Sequence, residues 1–387
     1  SSRTQWDVIK DKISDAINKG GNGAEITIDM NDTTTVPADI FADIKGKDVK
    51  VVLDLGNGIK WTIDGKDVTS VPNGQIDFGV QIGTNGIPVE IVNNVTGERY
   101  SMQISLNHDG EFGFKAVLTI NLEKKNAGYY ANLFYYNVKT KELEFMTYGK
   151  INEDGSVDLD FNHASDYVIV IDDKPLDGSA QTGAPVDKQK NSAKLNAKAF
   201  VAHKGTKLSL TWGKVEEADG YDIFAAQCGK ELSAKAPAVT VKGQKTSVDL
   251  TKIAGKEISD KKTYKVRIKA YKLVDGKKTY IGSSLLFHAV GKQNKTYTNA
   301  KKVELSKTSV TLNQGKTKKI KAAIVKQSPK KKLLTREHGD ALRYFSMDTG
   351  IATVTADGKI EAKNKGTCYV YVTALNGRKA KVKVTVK

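Results

Sequence analysis

The stretch Tyr264-Lys-Val-Arg-Ile-Lys-Ala-Tyr271 decides the fold of the central part of this chain. Its aromatic and apolar side chains stand at every second position, and in an extended strand such residues share one face. Tyr264, Val266, Ile268 and Ala270 are therefore expected on the core side. This period of two is typical of a half-buried β-strand and predicts a sheet with one face against a hydrophobic core.

Two upstream stretches extend this pattern. Leu208-Ser-Leu-Thr-Trp212 and Tyr221-Asp-Ile223 precede the strand just described. Together, the three segments resemble strands B, C and F of a fibronectin type III domain, over residues 195–294. The resemblance implies an antiparallel β-sandwich that is not catalytic in type.

Residues 299–387 carry a second set of strand-like segments. The segments are Val303-Glu-Leu-Ser-Lys-Thr-Ser-Val-Thr-Leu312, Ile351-Ala-Thr-Val-Thr-Ala-Asp-Gly-Lys-Ile360, Gly366-Thr-Cys-Tyr-Val-Tyr-Val372 and Val382-Lys-Val-Thr-Val386. This region resembles the bacterial immunoglobulin-like group 2 family, which recurs in surface and wall-associated proteins. The resemblance implies another β-sandwich, an extracellular location and a natural C-terminus close to Lys387.

The N-terminal residues 1–72 have a different pattern. Apolar residues from Trp6 to Ile17 recur at spacings of three and four, which predicts an amphipathic helix. Strands are expected at about 49–54 and 59–64, because both flank the hairpin turn Gly56-Asn57-Gly58. These features predict a small α+β unit.

Residues 73–173 are expected to be all β. Turn signals separate the runs Arg99 to Leu106, Phe112 to Leu122, Tyr129 to Tyr136 and Asp166 to Ile171. The spacing predicts a β-sandwich, and the alternative is that residues 1–173 form one composite domain. Ala131-Asn-Leu-Phe-Tyr-Tyr-Asn137 and His163-Ala-Ser-Asp-Tyr-Val-Ile-Val170 resemble segments of large secreted proteins of gut clostridia, in domains near the C-terminal end.

The 387-residue chain is therefore predicted to be mainly β. An α+β N-terminal unit with a β-sandwich is followed by two tandem Ig-like/fibronectin-like β-sandwiches. Residues 174–194 are rich in Gly, Pro, Ser and Asp and have the composition of a linker. The N-terminus lacks a signal-peptide pattern, so the chain is expected to be a fragment of a larger secreted protein.

Charge changes sign at this linker. Residues 1–174 hold 17 basic and 27 acidic residues, a net of −10, while the rest of the chain has a net of +27. A basic half in an extracellular protein attracts anionic wall polymers or acidic glycans, and a solvated surface without a partner is the alternative. No nucleic-acid motif and no membrane-spanning run is present in the sequence.

Residue types that carry chemistry are scattered. His163, Ser165 and Asp166 lie too close along one strand to form a catalytic triad. The five histidines lack the paired spacing of zinc sites, so no metal site is predicted. Without a triad, no enzyme is predicted either. Cys228 and Cys368 fall in different predicted domains, which excludes a bridge within one domain, and Cys368 shares the parity of its core valines.

One acidic loop is a candidate for calcium. Asn152-Glu-Asp154-Gly-Ser-Val-Asp158-Leu-Asp160 offers several oxygens, and Ca²⁺ needs oxygens that converge from a tight turn. The segment lacks the distal bidentate Glu, and a hairpin turn that enters an alternating strand accounts for the same residues. Calcium is therefore kept only as the alternative to a structural turn.

Aromatic residues form the candidate ligand-binding surface. Sugar rings stack on exposed aromatic planes, and the candidate residues are Trp61, Tyr129, Tyr130, Tyr135 and Tyr136. One parity of any strand must face the core, so packing in the core or at its rim is the alternative.

A lysine run is the candidate anionic-polymer contact. Lys330, Lys331 and Lys332 lie in the stretch 326–343, which is longer than a simple loop and is interpreted as an inserted arm. A solvated connection is the alternative.

Two functional hypotheses follow. The first is a non-catalytic stalk, adhesion or wall-contacting segment at the cell surface, and the second is a carbohydrate-binding module or adhesin with its site in residues 1–173. The expected partner is a cell-wall polymer or an extracellular glycan, with a host protein as the further alternative. A monomer without a cofactor is expected.

Overall fold

The computed structural model describes residues 4–19, 23–177, 186–232 and 236–387. The chain divides into two compact units, unit 1 with residues 1–87 and 99–182, and unit 2 with residues 88–98 and 183–387. Strands dominate both units, so the prediction of a mainly β protein is confirmed. In the described part of the chain, no helix combines the length and apolar character that crossing a bilayer requires.

In its described residues, unit 1 has two α-helices and ten strands. They are α1 (Gln5–Asn18), β1 (Ala24–Asp29), β2 (Thr35–Val36), α2 (Ala38–Ile44), β3 (Val49–Gly56), β4 (Ile59–Asp64), β5 (Ile76–Asp77), β6 (Val80–Ile82), β7 (Ser101–Asn121), β8 (Tyr130–Asn137), β9 (Glu142–Lys150) and β10 (Ser156–Asp172). The helix predicted after Trp6 is present as α1, and it buries Ile9 and Ile13 as the spacing indicates.

One sheet runs through the whole of unit 1. Its strand order is β1-β3-β4-β7-β10-β8-β9, and β6 also pairs with β7. β1 and β3 are parallel, whereas β4 and β7 pair antiparallel through Trp61 and Leu118. The strands of the predicted α+β unit and of the predicted β-sandwich thus share one sheet and one core, as in the composite alternative.

Unit 2 begins with two helices and a fibronectin-like set of strands. They are α3 (Val89–Thr96), α4 (Val186–Lys198), β11 (Phe200–Lys204), β12 (Lys207–Thr211), β13 (Gly220–Gln227), β14 (Val239–Lys242), β15 (Ser247–Leu250), β16 (Lys252–Ile253), β17 (Lys256–Glu257), β18 (Thr263–Val274), β19 (Lys277–Ser283) and β20 (Phe287–Val290). The sheet β11-β12-β15 and the sheet β14-β13-β18-β19, to which β20 adds beside β18, enclose one core.

The strand predicted from Tyr264 to Tyr271 lies within β18. Tyr264, Val266, Ile268 and Ala270 are all buried in this core, which confirms the face assigned to them. The Tyr264 hydroxyl accepts a hydrogen bond of 2.8 Å from the backbone N–H of Ser259, a tyrosine-corner arrangement typical of such sandwiches.

The remaining strands of unit 2 form a second sandwich. They are β21 (Ala300–Leu305), β22 (Ser309–Leu312), β23 (Thr317–Lys319), β24 (Ala322–Lys326), β25 (Leu342–Ser346), β26 (Ala352–Val354), β27 (Lys359–Ala362), β28 (Gly366–Ala374) and β29 (Lys379–Val386). The largest sheet has the order β22-β29-β28-β25, and its inward side chains include Cys368, which is buried as predicted.

The two sandwiches of unit 2 are joined by backbone and side-chain hydrogen bonds. The backbone N–H of Val201 donates to the carbonyl oxygen of Asn376 at 2.9 Å, and that of His288 donates to the carbonyl oxygen of Leu375 at 2.8 Å. The Lys379 ammonium donates to the carbonyl oxygen of Ala199 at 2.6 Å. These contacts make one compact unit of the tandem.

Two segments differ from the sequence prediction. Residues 89–96 form α3 inside a region expected to be all β, because Pro88 and Gly97 bound a short helix whose β-branched residues favour a strand locally. Part of the predicted linker is the helix α4, which packs on the fibronectin-like sandwich: Asn191 donates to the carbonyl oxygen of Ile281 at 3.0 Å, and Ala193 and Leu195 are buried. Residues 178–185 of that linker lie outside the described residues.

The stretch 326–343 is not a separate arm. Lys332 forms a β-bridge with Tyr297, and Leu334 is buried with Val290 and Leu375. The stretch therefore packs on the preceding segment of unit 2, because Leu334 buries its side chain there.

Candidate functional site: a buried charged cluster

The outer face of the β13-β18-β20 sheet carries a cluster of charged side chains. Lys265 lies between Ala226 on β13 and His288 on β20, and residues directly opposite each other in an antiparallel pair share a face. Lys265, Arg267 and Lys269 alternate with the core residues of β18, so they project away from the core. They meet Glu90 of helix α3 and Glu98 just after it rather than solvent.

Glu90 and Asn93 of α3 hold the first of these cations. The Lys265 ammonium lies 2.9 Å from Glu90 Oε1 and 2.6 Å from Asn93 Oδ1, and the Lys265 side chain is fully buried. The backbone N–H of Gly229 donates to the same carboxylate oxygen, and that of Leu232 donates to Asn93 Oδ1 at 3.3 Å. Several hydrogen bonds therefore compensate the removal of this ammonium from water.

Glu98, just after α3, holds the other two cations. Its carboxylate lies 2.5 Å from the Lys269 ammonium and 3.3 Å from Arg267 Nη1. Gly97 precedes it with φ +56°, and a Cβ there would lie 2.3 Å from the Arg267 guanidinium. Glycine is thus favoured at the end of α3 by the backbone conformation, and a Cβ there would in addition displace the Arg267 guanidinium.

Burial alone would raise the pKa of both carboxyls, but their partners reverse the effect. For Glu98, the charges of Arg267 and Lys269 lower the pKa from 4.5 to about 2. For Glu90, the His288 ring, the Lys265 charge and the Gly229 amide also lower it to about 2. Both groups are carboxylates at neutral pH, so neither can act there as a general acid.

Three side chains of other residue types border the cluster. Burial lowers the pKa of His288 to about 4, so its imidazole is neutral at physiological pH. Burial raises the pKa of the Cys228 thiol well above its ordinary value. The nucleophilic thiolate form of Cys228 is therefore disfavoured. The third side chain is His338, whose ring meets the His288 ring edge-to-face with 5.3 Å between the ring centroids.

The stability of unit 2 should depend on acid pH because of the ion pairs that Glu98 forms. Because the pKa of Glu98 falls from 4.5 to about 2 on folding, its stabilisation is present above about pH 4.5 and is lost as the pH falls towards 2. Arg267, Lys269 and the Tyr280 ring face this carboxylate. We expect Glu98 to contribute a loss of about 3 kcal/mol across this window, in addition to that of Glu90, whose pKa is lowered over the same range, and the total is measured by urea unfolding at successive pH values.

Glu98→Gln isolates this effect. Its stability should differ most from that of the wild type at neutral pH and converge with it near pH 2. Glu123→Gln is the matched control, since the ion pair of Glu123 with Lys125 is exposed and should contribute little. A constant difference between wild type and Glu98→Gln at all pH values would contradict the assignment.

The aromatic candidates are dispersed. Trp61 is fully buried, and its indole N–H donates to the carbonyl oxygen of Phe78 at 2.9 Å, so its assignment to a ligand surface is wrong. Tyr135 packs against the core beside Tyr167 and His163, because its parity is that of the core-facing residues of β8. Tyr129 remains 46% exposed.

The other two aromatic candidates do not form a flat platform with their neighbours. Tyr130 is half-buried and meets Tyr148 edge-to-face at 5.8 Å and 73°, and Tyr136 is also half-buried. Tyr148 was not among the sequence candidates and is 43% exposed. The exposed aromatic side chains among the described residues of unit 1 are therefore Tyr100, Tyr129 and Tyr148, and of these Tyr148 forms a perpendicular pair with Tyr130.

The lysine and calcium candidates lie at the surface. Lys330 and Lys332 are exposed, and Lys331 is half-buried with its ammonium 3.2 Å from the carbonyl oxygen of Lys292. In the acidic loop, Asp154 Oδ1 accepts hydrogen bonds from the N–H and hydroxyl of Ser156 at 2.9 and 2.6 Å. This loop connects β9 and β10, which fits the structural turn that was weighed against calcium.

A small pocket lies near the cluster in unit 2. His288, Val290, Leu334 and Leu375 are among its lining residues, and its interior of about 20 Å³ has room for about one water molecule. This volume is far below that of a cofactor or sugar pocket.

Sequence reasoning missed the charged cluster. Its one local signal is the pair Pro88 and Gly97, which can start and end a helix. Nothing in the sequence near Glu90 or Glu98 indicates partners on β18.

The two sandwiches, each with two or more facing sheets around a core, define unit 2 as a tandem of immunoglobulin-like modules. Residues 299–386 match the family described as bacterial Ig-like domain (group 2). No curated protein matches the chain.

Among solved structures, domains 4 and 5 of the S-layer protein SbsC are similar over 48% of this chain and 84% of that one, with 15% identity and a TM-score of 0.19. Fibronectin(III)-like modules of Clostridium thermocellum CbhA are similar over 48% of this chain and 87% of that one, with 11% identity and a TM-score of 0.18. Chicken CNTN1 domains FN1–FN3 are similar over 80% of this chain and 98% of that one, with 11% identity and a TM-score of 0.20. At these TM-scores the similarity carries no conclusion about binding or activity.

Proposed function

We propose that this chain is a non-catalytic segment of an extracellular surface protein. Its C-terminal Ig-like module, residues 299–387, contacts an anionic polymer of the cell wall. The observation that carries this proposal is the lysine-rich surface of that module. The match of residues 299–386 to the bacterial Ig-like group 2 family supports it.

The module has a large excess of positive charge. Residues 299–387 hold 21 Lys and Arg against 6 Asp and Glu, a net of +15. Glu304, Asp340, Asp357 and Glu361 each lie within an ion pair with a nearby Lys or Arg. The acidic side chains are therefore largely used within the module, and the excess positive charge faces outward.

Strand β29 shows how the fold presents this charge. Lys381 and Lys383 are exposed, whereas Val382, Val384 and Val386 between and beyond them are buried in the core. The period of two that builds the core thus places a lysine row on the opposite side. Such a row attracts a polymer of phosphates or carboxylates through long-range electrostatics, without a pocket.

Binding of the full chain to purified Gram-positive cell walls tests the proposal. Lys381→Gln/Lys383→Gln should weaken binding about tenfold at low salt, because an exposed lysine near an anionic surface contributes roughly 0.5–1 kcal/mol. High salt should weaken wild-type binding as well, since exposed charges are screened.

The matched control removes the same charge from unit 1. Lys45→Gln/Lys47→Gln replaces two exposed lysines there and should leave wall binding unchanged. Equal losses in both double variants would refute a contact through β29. Salt-resistant binding to neutral glycans that Tyr148→Ala abolishes would instead favour a carbohydrate-binding role for unit 1.

A further inference from the structure

Three potential metal ligands from distant parts of the sequence meet in unit 2. Glu90 of α3, Cys228 after β13 and His338 in the turn before β25 place a ligand atom each within 4.8 Å of one another. Cys228 has the parity of Phe224 and Ala226, so it follows them onto the outer face of the sheet. The fold therefore gathers sulfur, nitrogen and oxygen donors that no spacing in the sequence brings together.

His288 adds a fourth donor on the same face. Its Nε2 lies 3.7 Å from Glu90 Oε2, and its side chain is fully buried. Within the residues that the structure describes, neither nitrogen of His288 nor Glu90 Oε2 has a hydrogen-bond partner. Buried polar atoms are normally satisfied, and the 3.7 Å between Glu90 Oε2 and His288 Nε2 is too long for a direct hydrogen bond, so a bound water or cation would satisfy both atoms.

The turn that carries His338 orients its ring for metal binding. Nδ1 lies 3.3 Å from the carbonyl oxygen of Thr335. Nδ1 also lies 3.4 Å from the Thr335 hydroxyl, and in the tautomer that carries its proton on Nδ1 the ring donates to this turn and leaves the Nε2 lone pair for a cation. Metal-binding histidines usually show this second hydrogen bond, which sets the tautomer and the ring direction.

We propose that Glu90, Cys228, His288 and His338 bind one zinc-type divalent cation as a four-ligand structural site. The mixture of thiolate, imidazole and carboxylate matches Zn²⁺, whereas Ca²⁺ and Mg²⁺ take oxygen ligands. A tetrahedral zinc site separates its ligand atoms by roughly 3.3–3.7 Å, so the Glu90 to His288 distance already fits. Cys228 and His338 are half-buried, which leaves their side chains room to close the site.

The negative charges of the ligands balance the charge of the cation. The Cys228 thiol releases its proton to solvent as the metal–sulfur bond forms, and thiolate and carboxylate together offset the two charges of the cation. Glu90 binds through Oε2, while Oε1 keeps its hydrogen bond to Lys265. The bound cation links α3, the fibronectin-like sandwich and the C-terminal Ig-like module within unit 2.

Cobalt titration of the reduced, chelator-treated full chain tests this site. We expect a thiolate-to-cobalt charge-transfer band that saturates at one equivalent and is displaced by Zn²⁺. The band should be lost in Cys228→Ser and retained in Cys368→Ser, which alters the buried cysteine of the C-terminal core. His338→Gln should weaken cobalt binding at least tenfold while leaving the fold intact, since His338 is half-buried.

Two outcomes overturn the inference. One is the absence of a thiolate band at up to millimolar cobalt, and the other is a band that persists in Cys228→Ser. A second measurement covers the case in which a variant folds poorly: Zn²⁺ should raise the unfolding temperature of the wild type and leave that of Cys228→Ser unchanged. Neither readout involves wall binding, so the proposed function and this site stand or fall separately.

Discussion

Lys265→Met is expected to destabilise unit 2 by about 3–5 kcal/mol at neutral pH, because breaking a buried pair leaves its partner charge uncompensated. The Lys265 side chain is fully buried between Glu90 and Asn93. Methionine has a similar length and fills the same space, so the loss reports charge rather than a cavity. Glu90 and Asn93 would both lose their ammonium partner in a region that solvent does not reach.

The measurement must be local, since the chain has two units and need not unfold in one step. Hydrogen exchange should accelerate in peptides that cover β18 and β20 and stay unchanged in peptides that cover β3 and β4. A chelator keeps any cation from replacing the ammonium. The matched control is Lys10→Met, whose partner Asp39 is 59% exposed, and it should cost less than about 1 kcal/mol.

The double variant Lys265→Met/Glu90→Gln separates the two sources of the loss. It removes both charges, so it should recover part of the stability that Lys265→Met loses. If the double variant were less stable than the single one by the full cost of a second buried mutation, the pair would contribute little as a pair.

The strands of unit 2 could be predicted because their signal is local. Alternation at Tyr264, Val266, Ile268 and Ala270 is a property of eight adjacent residues, and the buried face follows directly from it. The same reasoning identified Cys368 as a core residue. Any strand that is buried on one side can be read in this way.

The charged cluster could not be predicted, because the charged residues on the opposite face of β18 have the sequence pattern of a solvent-exposed face. Lys265, Arg267 and Lys269 read as a solvated face, which is the ordinary meaning of alternating charge in a strand. Their partners are Glu90, in a helix too short for a clear period, and Glu98 just after that helix, and both lie far away in the sequence. Only the tertiary structure pairs the two segments.

The same segment changes how the chain should be divided. A cut within residues 174–194 separates the acidic from the basic half, but residues 88–98 belong to unit 2. A fragment that begins after this cut would lack Glu90 and Glu98 and leave Lys265 without its carboxylate. The full chain is therefore the right material for each experiment proposed above.

Trp61→Ala is expected to destabilise unit 1 by about 3–5 kcal/mol, the usual cost of removing a large aromatic side chain from a core. Trp61 packs edge-to-face on Phe78, Phe112 and Phe161 at 5.5–5.8 Å and is fully buried. Its removal opens a cavity among these three rings and leaves the carbonyl oxygen of Phe78 without its indole donor. Both effects act on the folded state of unit 1.

Trp61→Phe and Tyr129→Ala complete the test, read by urea unfolding and by hydrogen exchange in β3 and β4. Trp61→Phe keeps most of the packing but loses the hydrogen bond, so it should fall between wild type and Trp61→Ala. Tyr129→Ala changes an aromatic that is 46% exposed and should stay within about 0.5 kcal/mol of wild type. If Trp61→Ala instead kept the stability of unit 1 and abolished glycan binding, Trp61 would be a ligand platform and not a core residue.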